Sequence, residues 1–304
     1  MCPFKSMMVG LSLDDSDDAV IRFSSEIARH AAIAKATFLH VATNLDVPRY
    51  IGDKYPILLQ SGDEFAKNKM SDRVHNCFDS SLGVRVEFET VEGTPLLELL
   101  RRVSYKNIDL IVLGKLKEPA AGGTLGLKVA RKAPCSVFVV PENTPPKFES
   151  IMVPADFVES SLRALEVAVA IAASAKIAEV TCVHAYRVPS GYYKTGKTYE
   201  QFAEIMRGHA EEKYNEFVAR VDIPDGVTVK PLFKLYNKVH QTIREISRDH
   251  PVDLLVIGAR GRKSDAGSLL GSVTEQLIRK TKIPLLAVKK KGEGMSFLKS
   301  LLDI

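Results

Sequence analysis

The feature that most constrains this chain is that it is one unit written twice. "MMVGLS" (Met7–Ser12) is matched by "IMVPAD" (Ile151–Asp156), and "FLHVA" (Phe38–Ala42) by "TCVHAY" (Thr181–Tyr186). "IDLIVLG" (Ile108–Gly114) is matched by "VDLLVIG" (Val252–Gly258). Met7 and Ile151, His40 and His184, and Gly114 and Gly258 are each 144 positions apart. A constant displacement over three separate segments marks an internal repeat. "CSVFVV" (Cys135–Val140) lies over "IPLLAV" (Ile283–Val288) at a displacement of 148, so the loops before it differ by four residues.

Each copy runs through the same elements. A strand (Met7–Leu11, Ile151–Pro154) leads to an apolar-periodic helix (Asp17–Ala34, Ser160–Ala175), then to a strand ending near His40-Val41 or Val183-His184. A variable segment with a second helix follows (Asp63–Phe78, Tyr199–Val221). Next come a strand (Val84–Thr90, Thr228–Leu235), a helix (Pro95–Tyr105, Val239–Asp249) and the "IDLIVLG/VDLLVIG" strand. A last helix and strand close the copy. Continuous Val/Ile/Leu runs alternating with amphipathic helices predict parallel sheet covered on both faces. The expected class is therefore α/β, as two tandem, open, five-stranded parallel-sheet domains of Rossmann-like form. A chain of 304 residues with 45% hydrophobic content can bury two such cores. "PENTPPKFES" (Pro141–Ser150) reads as the linker, which sets the domains at 1–142 and 150–291. The tail, 292–304, places Phe297, Leu298, Leu301 and Leu302 on one helical face, to dock on its own domain or on a partner.

Charge and cysteines narrow the function classes. The net charge of +5 is mild, and no aromatic-interleaved basic patch accompanies the run Lys289–Lys291, so no nucleic acid partner is expected. "ALEVAVAIAASA" (Ala164–Ala175) is too short to span a bilayer and contains Glu166, so no membrane partner is expected either. Cys2, Cys77, Cys135 and Cys182 form no C-x-x-C pair, which fits a reducing, cytoplasmic setting.

The chemistry-bearing stretch is "GARGRKSDAGSLLGSVTEQLIRKTKIPLLAVKK", Gly258–Lys290. It follows a buried-strand pattern and orders itself as glycine loop, helix, strand. In a doubly wound sheet such a loop sits at the carboxyl ends of the strands, where ligands bind. Gly258 and Gly261 can take angles closed to other residues and admit a ligand to the main chain. Gly271 and Ser272 start a helix whose free N–H groups favour an anion, with Ser272 and Thr274 hydroxyls beside them. The spacing alone equally allows turn glycines and an ordinary N-cap.

Gly258-x-x-Gly261, nine residues, then Gly271-Ser272 resembles the ATP-binding signature of the universal stress protein family. "IMVPADF", "CVHAY" and the proline before the final strand resemble that family too, in both halves, as a tandem member. The resemblance implies a fold like that of the adenine nucleotide alpha hydrolases and a regulatory ATP, with Mg in attendance. It implies that Asp156, after Pro154 and Ala155, lies by ribose and phosphates, and that Val183 frames the adenine. It further implies Gly258 (after Ile257), Arg260 and Gly261 around ribose and phosphate, and Gly271, Ser272, Val273 and Thr274 around the phosphates. Asp156 also reads as an N-cap, and Val183 as core. The first copy departs from the signature: Lys117 replaces the second glycine, the loop before Gly123-Thr124 is four residues shorter, and Ser12 replaces the acid. It is expected to be a degenerate site.

Other candidates carry less. His40 and His184 lack companion ligands and read as packed strand-end residues. Asp14, Asp15, Asp17 and Asp18 lack the Gly and Glu of a calcium loop and complement a helix dipole. No catalytic triad or Walker lysine is present, so hydrolysis is expected to be slow at most. The rival functions are an interaction scaffold without a tight nucleotide site, and a slow ATPase. The paired halves, and a possible homodimer, complete the expected partners.

Overall fold

In the computed structural model the described residues are 3–42, 54, 63–115, 125–142, 144–236, 238–262 and 270–302. Lys117 and Gly123-Thr124 lie outside them. The first copy runs β1 (Ser6–Leu11), α1 (Asp17–Ala31), β2 (Lys35–Ala42), α2 (Asp63–Cys77), β3 (Arg85–Glu92), α3 (Pro95–Lys106), β4 (Leu110–Lys115), α4 (Leu125–Lys132) and β5 (Ser136–Pro141). The second runs β6 (Ile151–Pro154), α5 (Glu159–Ala175), β7 (Glu179–Tyr186), α6 (Tyr199–Val218), β8 (Thr228–Leu235), α7 (Val239–Asp249), β9 (Leu254–Gly258), α8 (Ser272–Lys280) and β10 (Leu285–Val288). The tail forms α9 (Met295–Leu302).

Within the first copy the strand order is β3-β2-β1-β4-β5, and within the second β10-β9-β6-β7-β8. Every pairing inside each copy is parallel. Both are therefore the same open five-stranded sheet, winding outward one way from its first strand and then back to the other side. β1, β4 and β5 carry Met7, Met8, Val9, Ile111, Val112 and Phe138 with no or almost no exposure, as a sheet covered on both faces requires.

The repeat extends to single hydrogen bonds. Asp109 accepts the N–H groups of Lys5 and Ser6, each at 2.9 Å, while the Ser6 hydroxyl donates to the Asn107 carbonyl at 3.0 Å. At 144 positions on, Asp253 accepts the Glu149 N–H at 3.1 Å and the Ser150 hydroxyl donates to the Pro251 carbonyl at 2.6 Å. The left-handed residues recur as well: Leu13 and Phe157 each have φ 63°, and Ala32 (φ 52°) is matched by Lys176 (φ 58°). Ala32 and Lys176 close α1 and α5, because a left-handed C-cap ends the helical ladder.

The tail does not group with the copy it follows. The chain divides into residues 4–146 together with the tail from Gly294, and residues 147–293. α9 packs against α3, where the Ser104 hydroxyl meets the Met295 sulfur at 3.6 Å, and Leu298 and Leu302 are buried. The side chains of Phe297 and Leu301 lie outside the described residues. Leu97, Leu100 and Ser104 share one face of α3; the same positions of α7 are the exposed Gln241, Arg244 and Arg248. At these three positions the first copy thus offers a largely apolar face and the second a charged and polar one. Leu298→Ala removes a fully buried side chain and should destabilise the first copy by about 2–4 kcal/mol, read as a lower denaturant midpoint for that unit; an unchanged midpoint would show that the tail contributes no packing.

Candidate functional site

The strand order reverses in the second copy between β6 and β9, which pair through Ile151↔Leu254 and Met152↔Leu255. Beyond the carboxyl ends of these strands opens a cavity of about 490 Å³. That is the ligand position expected of a doubly wound sheet. Pro154, Ala155, Asp156, Val183, Ile257, Gly258, Arg260, Gly261, Gly271, Ser272, Val273 and Thr274 all line it. Four segments far apart in sequence, from β6, β7, β9 and α8, are brought together by the winding alone.

The glycines act through space, not through backbone angle. None of Gly258, Gly261 and Gly271 has a positive φ, which corrects the reason the sequence suggested for them. A Cβ on Gly258 would stand 2.3 Å from the Ser160 hydroxyl and 2.7 Å from its backbone carbon and oxygen, so β9 meets the start of α5 with no room for a side chain. A Cβ on Gly261 would stand 3.1 Å from Asp156 Oδ2, and one on Gly271 3.2 Å from the Gly261 nitrogen. The two described ends of the loop, at Gly261 and Gly271, thus meet each other and the end of β6. Gly114 holds the equivalent place in the first copy, but among the described residues its Cβ would meet only Val20 Cγ2, at 3.1 Å. Gly258→Ala should therefore cost about 1–3 kcal/mol and Gly114→Ala markedly less; equal losses in denaturant unfolding would contradict the packing account.

Hydrogen bonds complete the loop. Asp156 Oδ2 accepts the Arg262 N–H at 2.8 Å, and the Arg262 guanidinium donates to the Asp156 carbonyl at 2.6 Å. The Ser160 hydroxyl accepts the Arg260 N–H at 3.2 Å. The buried Thr274 hydroxyl donates to the Gly258 carbonyl at 2.9 Å. Thr274 can thus offer an anion its backbone N–H, while Ser272, exposed at the start of α8, keeps its hydroxyl. Arg260 Nε is buried and has no hydrogen-bond partner among the described residues. A buried donor of this kind calls for an acceptor.

The wall opposite the loop was less legible. His184 Nδ1 lies 2.8 Å from the Ala155 carbonyl, so Nδ1 carries the proton and Nε2 is the free acceptor of the neutral ring. The equivalent His40 Nδ1 lies 3.0 Å from the Leu11 carbonyl. Phe157, turned by its left-handed backbone, stacks on His184 at 4.1 Å and 18°. Burial, opposed by the Ala155 bond and helped by Arg262, holds the His184 pKa below its ordinary value. Below about pH 6.5 the unfolded chain then binds a proton that the folded ring resists, so the second copy should lose stability as pH falls from 7.5 to 5.5. His184→Gln should flatten that loss in urea midpoints; an undiminished slope would place its cause elsewhere.

The sequence also misplaced the end of β7. The strand runs on to Tyr186, and Ala185, Tyr186 and Arg187 line the cavity with Met206, His209 and Lys213 from α6. The Ala155 N–H donates to the Val183 carbonyl at 2.9 Å, whereas the carbonyls of Ala178 and Tyr186 accept N–H groups at the two ends of β8. Alternation turns the peptide edge of Ala185 to the same side as that of Val183, past the end of β6 at Pro154. The strand pairing carries this signal; the residue types do not. Cys182, beneath the cavity floor, is fully buried and its thiol is pushed up to about 12, as befits a packing residue.

The first copy fills its own strand end. The buried Asp17 carboxylate accepts the N–H groups of Ser12 at 2.9 Å and Leu13 at 2.7 Å, and burial raises its pKa. Its counterpart in the second copy is Ser161, whose hydroxyl turns to the Val158 backbone instead. Lys69 donates to the Leu13 carbonyl at 2.8 Å, and Arg73 binds Asp14, Asp15 and Asp18. The acidic cluster is spent on this internal network.

These features define a class: a tandem α/β protein with a crevice at the switch point of its second sheet. The model of the Universal stress protein family matches residues 3–141 and again 147–289, and the chain belongs to that family. It is 27% identical over 159 residues to Universal stress protein MJ0577 of Methanocaldococcus jannaschii, covering 48% of this chain and 97% of that protein. It is also 27% identical over 193 residues to Universal stress protein Slr1230 of Synechocystis sp., covering 60% of this chain and 58% of that one. A universal stress protein from Archaeoglobus fulgidus shares the fold, with a TM-score of 0.63 at 17% identity over 93% of this chain and 98% of its own. So does the functionally unknown protein PA1789 from Pseudomonas aeruginosa, at 0.65 and 16% over 99% and 98%. Among the described residues no helix is long and apolar enough to cross a membrane.

Proposed function

We propose that the second copy binds one adenine nucleotide, ATP, as a regulatory ligand, and that the chain serves a stress response through that occupancy. The observation that carries this reading is the close approach of Gly258, Gly261 and Gly271, which brings the start of α8 and Arg260 to the lining of one cavity. Phosphates then lie against the backbone N–H groups of Ser272, Val273 and Thr274, the Ser272 hydroxyl and Arg260. The adenine lies toward β7, with Val183 as floor and the Ala185 peptide edge as donor and acceptor. Asp156 is held by Arg262 beside the ribose. Mg²⁺, when present, accompanies the phosphates and neutralises their charge. Asp156 is the sole carboxylate among the described cavity residues, and its Oδ2 already accepts the Arg262 N–H. With that carboxylate engaged in the loop, the nucleotide is read as held rather than turned over.

One nucleotide per chain follows from the self-filled strand end of the first copy and from Lys117 in its loop. Equilibrium dialysis should give one tight ATP site per chain, and two equal sites would refute the assignment. Losing a hydrogen bond to a charged group costs about 1.5–3 kcal/mol, so Ser272→Ala should weaken ATP roughly ten- to a hundredfold with the fold intact. An unchanged affinity would reduce Ser272 to a helix-start residue.

A further inference from the structure

Arg260 faces two ways. It lines the cavity, and its Nη1 donates to Glu293 Oε1 at 2.8 Å, with 30% and 22% of the two side chains exposed. Glu293 belongs to no element of the sheet. It sits in the turn after β10, where its N–H donates to the Lys290 carbonyl at 3.1 Å. Gly292 (φ 79°) and Gly294 (φ 83°) flank it in left-handed conformations that other residues rarely adopt. The turn is thus shaped to deliver one carboxylate to Arg260, a cation of the cavity lining whose Nε is buried without a partner among the described residues. Immediately beyond it begins α9, with Leu298 donating its N–H to the Gly294 carbonyl at 2.9 Å.

We propose that Glu293 tempers the preference of this site for phosphorylated ligands: its carboxylate stands on Arg260 as a resident anion that an incoming phosphate must share or displace. The inference rests on the nucleotide reading of the cavity. A neutral nucleoside does not compete for the guanidinium and does not feel the carboxylate. A triphosphate does both, because like charges meeting across one guanidinium repel in a partly buried site. Glu293 therefore lowers the affinity for ATP without altering that for adenosine. A displaced Glu293 also frees the glycine-flanked turn between Lys289 and α9, which ties occupancy of the cavity to the root of the tail.

Glu293→Gln keeps the size and the acceptor oxygen but removes the charge. Titration calorimetry on the full chain should show ATP binding about two- to tenfold tighter, with adenosine unchanged within about twofold. Equal shifts for both ligands, or weaker ATP binding, overturn the proposal. If the native chain takes up neither ligand, the nucleotide reading itself falls, and hydrogen exchange decides the placeholder role separately. Glu293→Gln and Arg260→Gln should each speed exchange of the amides at 291–294 by a similar factor, and the double variant no further. Exchange unaffected by either change would show that the pair holds nothing in place.

Discussion

The contact between Gly258 and Ser160 is the constraint on which the rest of the second copy depends. β9 enters the start of α5 so closely that a single methyl group on Gly258 would overlap the Ser160 backbone. That proximity lets the Ser160 hydroxyl take the Arg260 N–H and the Thr274 hydroxyl reach the Gly258 carbonyl. These two bonds fix where the glycine loop leaves the sheet and where α8 begins. Gly261 and Gly271 then bring the two described ends of the loop to each other and to Asp156. The cavity is the space left over once this packing is satisfied.

The two copies show how one scaffold accommodates two different strand ends. Both keep the left-handed turn at Leu13 or Phe157, the strand-end histidine and the carboxylate that staples the first and fourth strands. They differ in what occupies the turn after the first strand. An internal carboxylate at position 17 satisfies the turn in the first copy, whereas Ser161 leaves the second copy open toward its cavity. The first copy instead spends surface on the tail, through the apolar face that Leu97, Leu100 and Ser104 give α3. Polar residues on α7 deny the second copy that partner. The copies thus differ in charge and apolar area around one shared strand order.

Much of this was written in the sequence because its signals are local or periodic. The displacement of 144, the apolar runs of the strands and the amphipathic helices fixed the class, the strand count and the element order. The spacing of Gly258, Gly261 and Gly271 marked the loop that meets the cavity, and its likeness to a known signature named the residues that surround it. Residue types could not say why those glycines are there, because ligand approach and helix packing both demand a missing side chain. The steric collision with Ser160, 98 positions away, exists only once the sheet is wound. Strand pairing likewise decided that Ala185 opens on the crevice while Val183, on the same side of β7, is paired, since β6 ends at Pro154 before it reaches Ala185. The tail could be read as an amphipathic helix but not assigned to a surface, because its destination depends on a face formed by another helix. The same holds for Arg260 and Glu293, whose pairing no periodicity encodes. The sequence determined the elements and their order through short-range patterns; the tertiary structure alone decided which distant groups share a charge, a collision or a cavity.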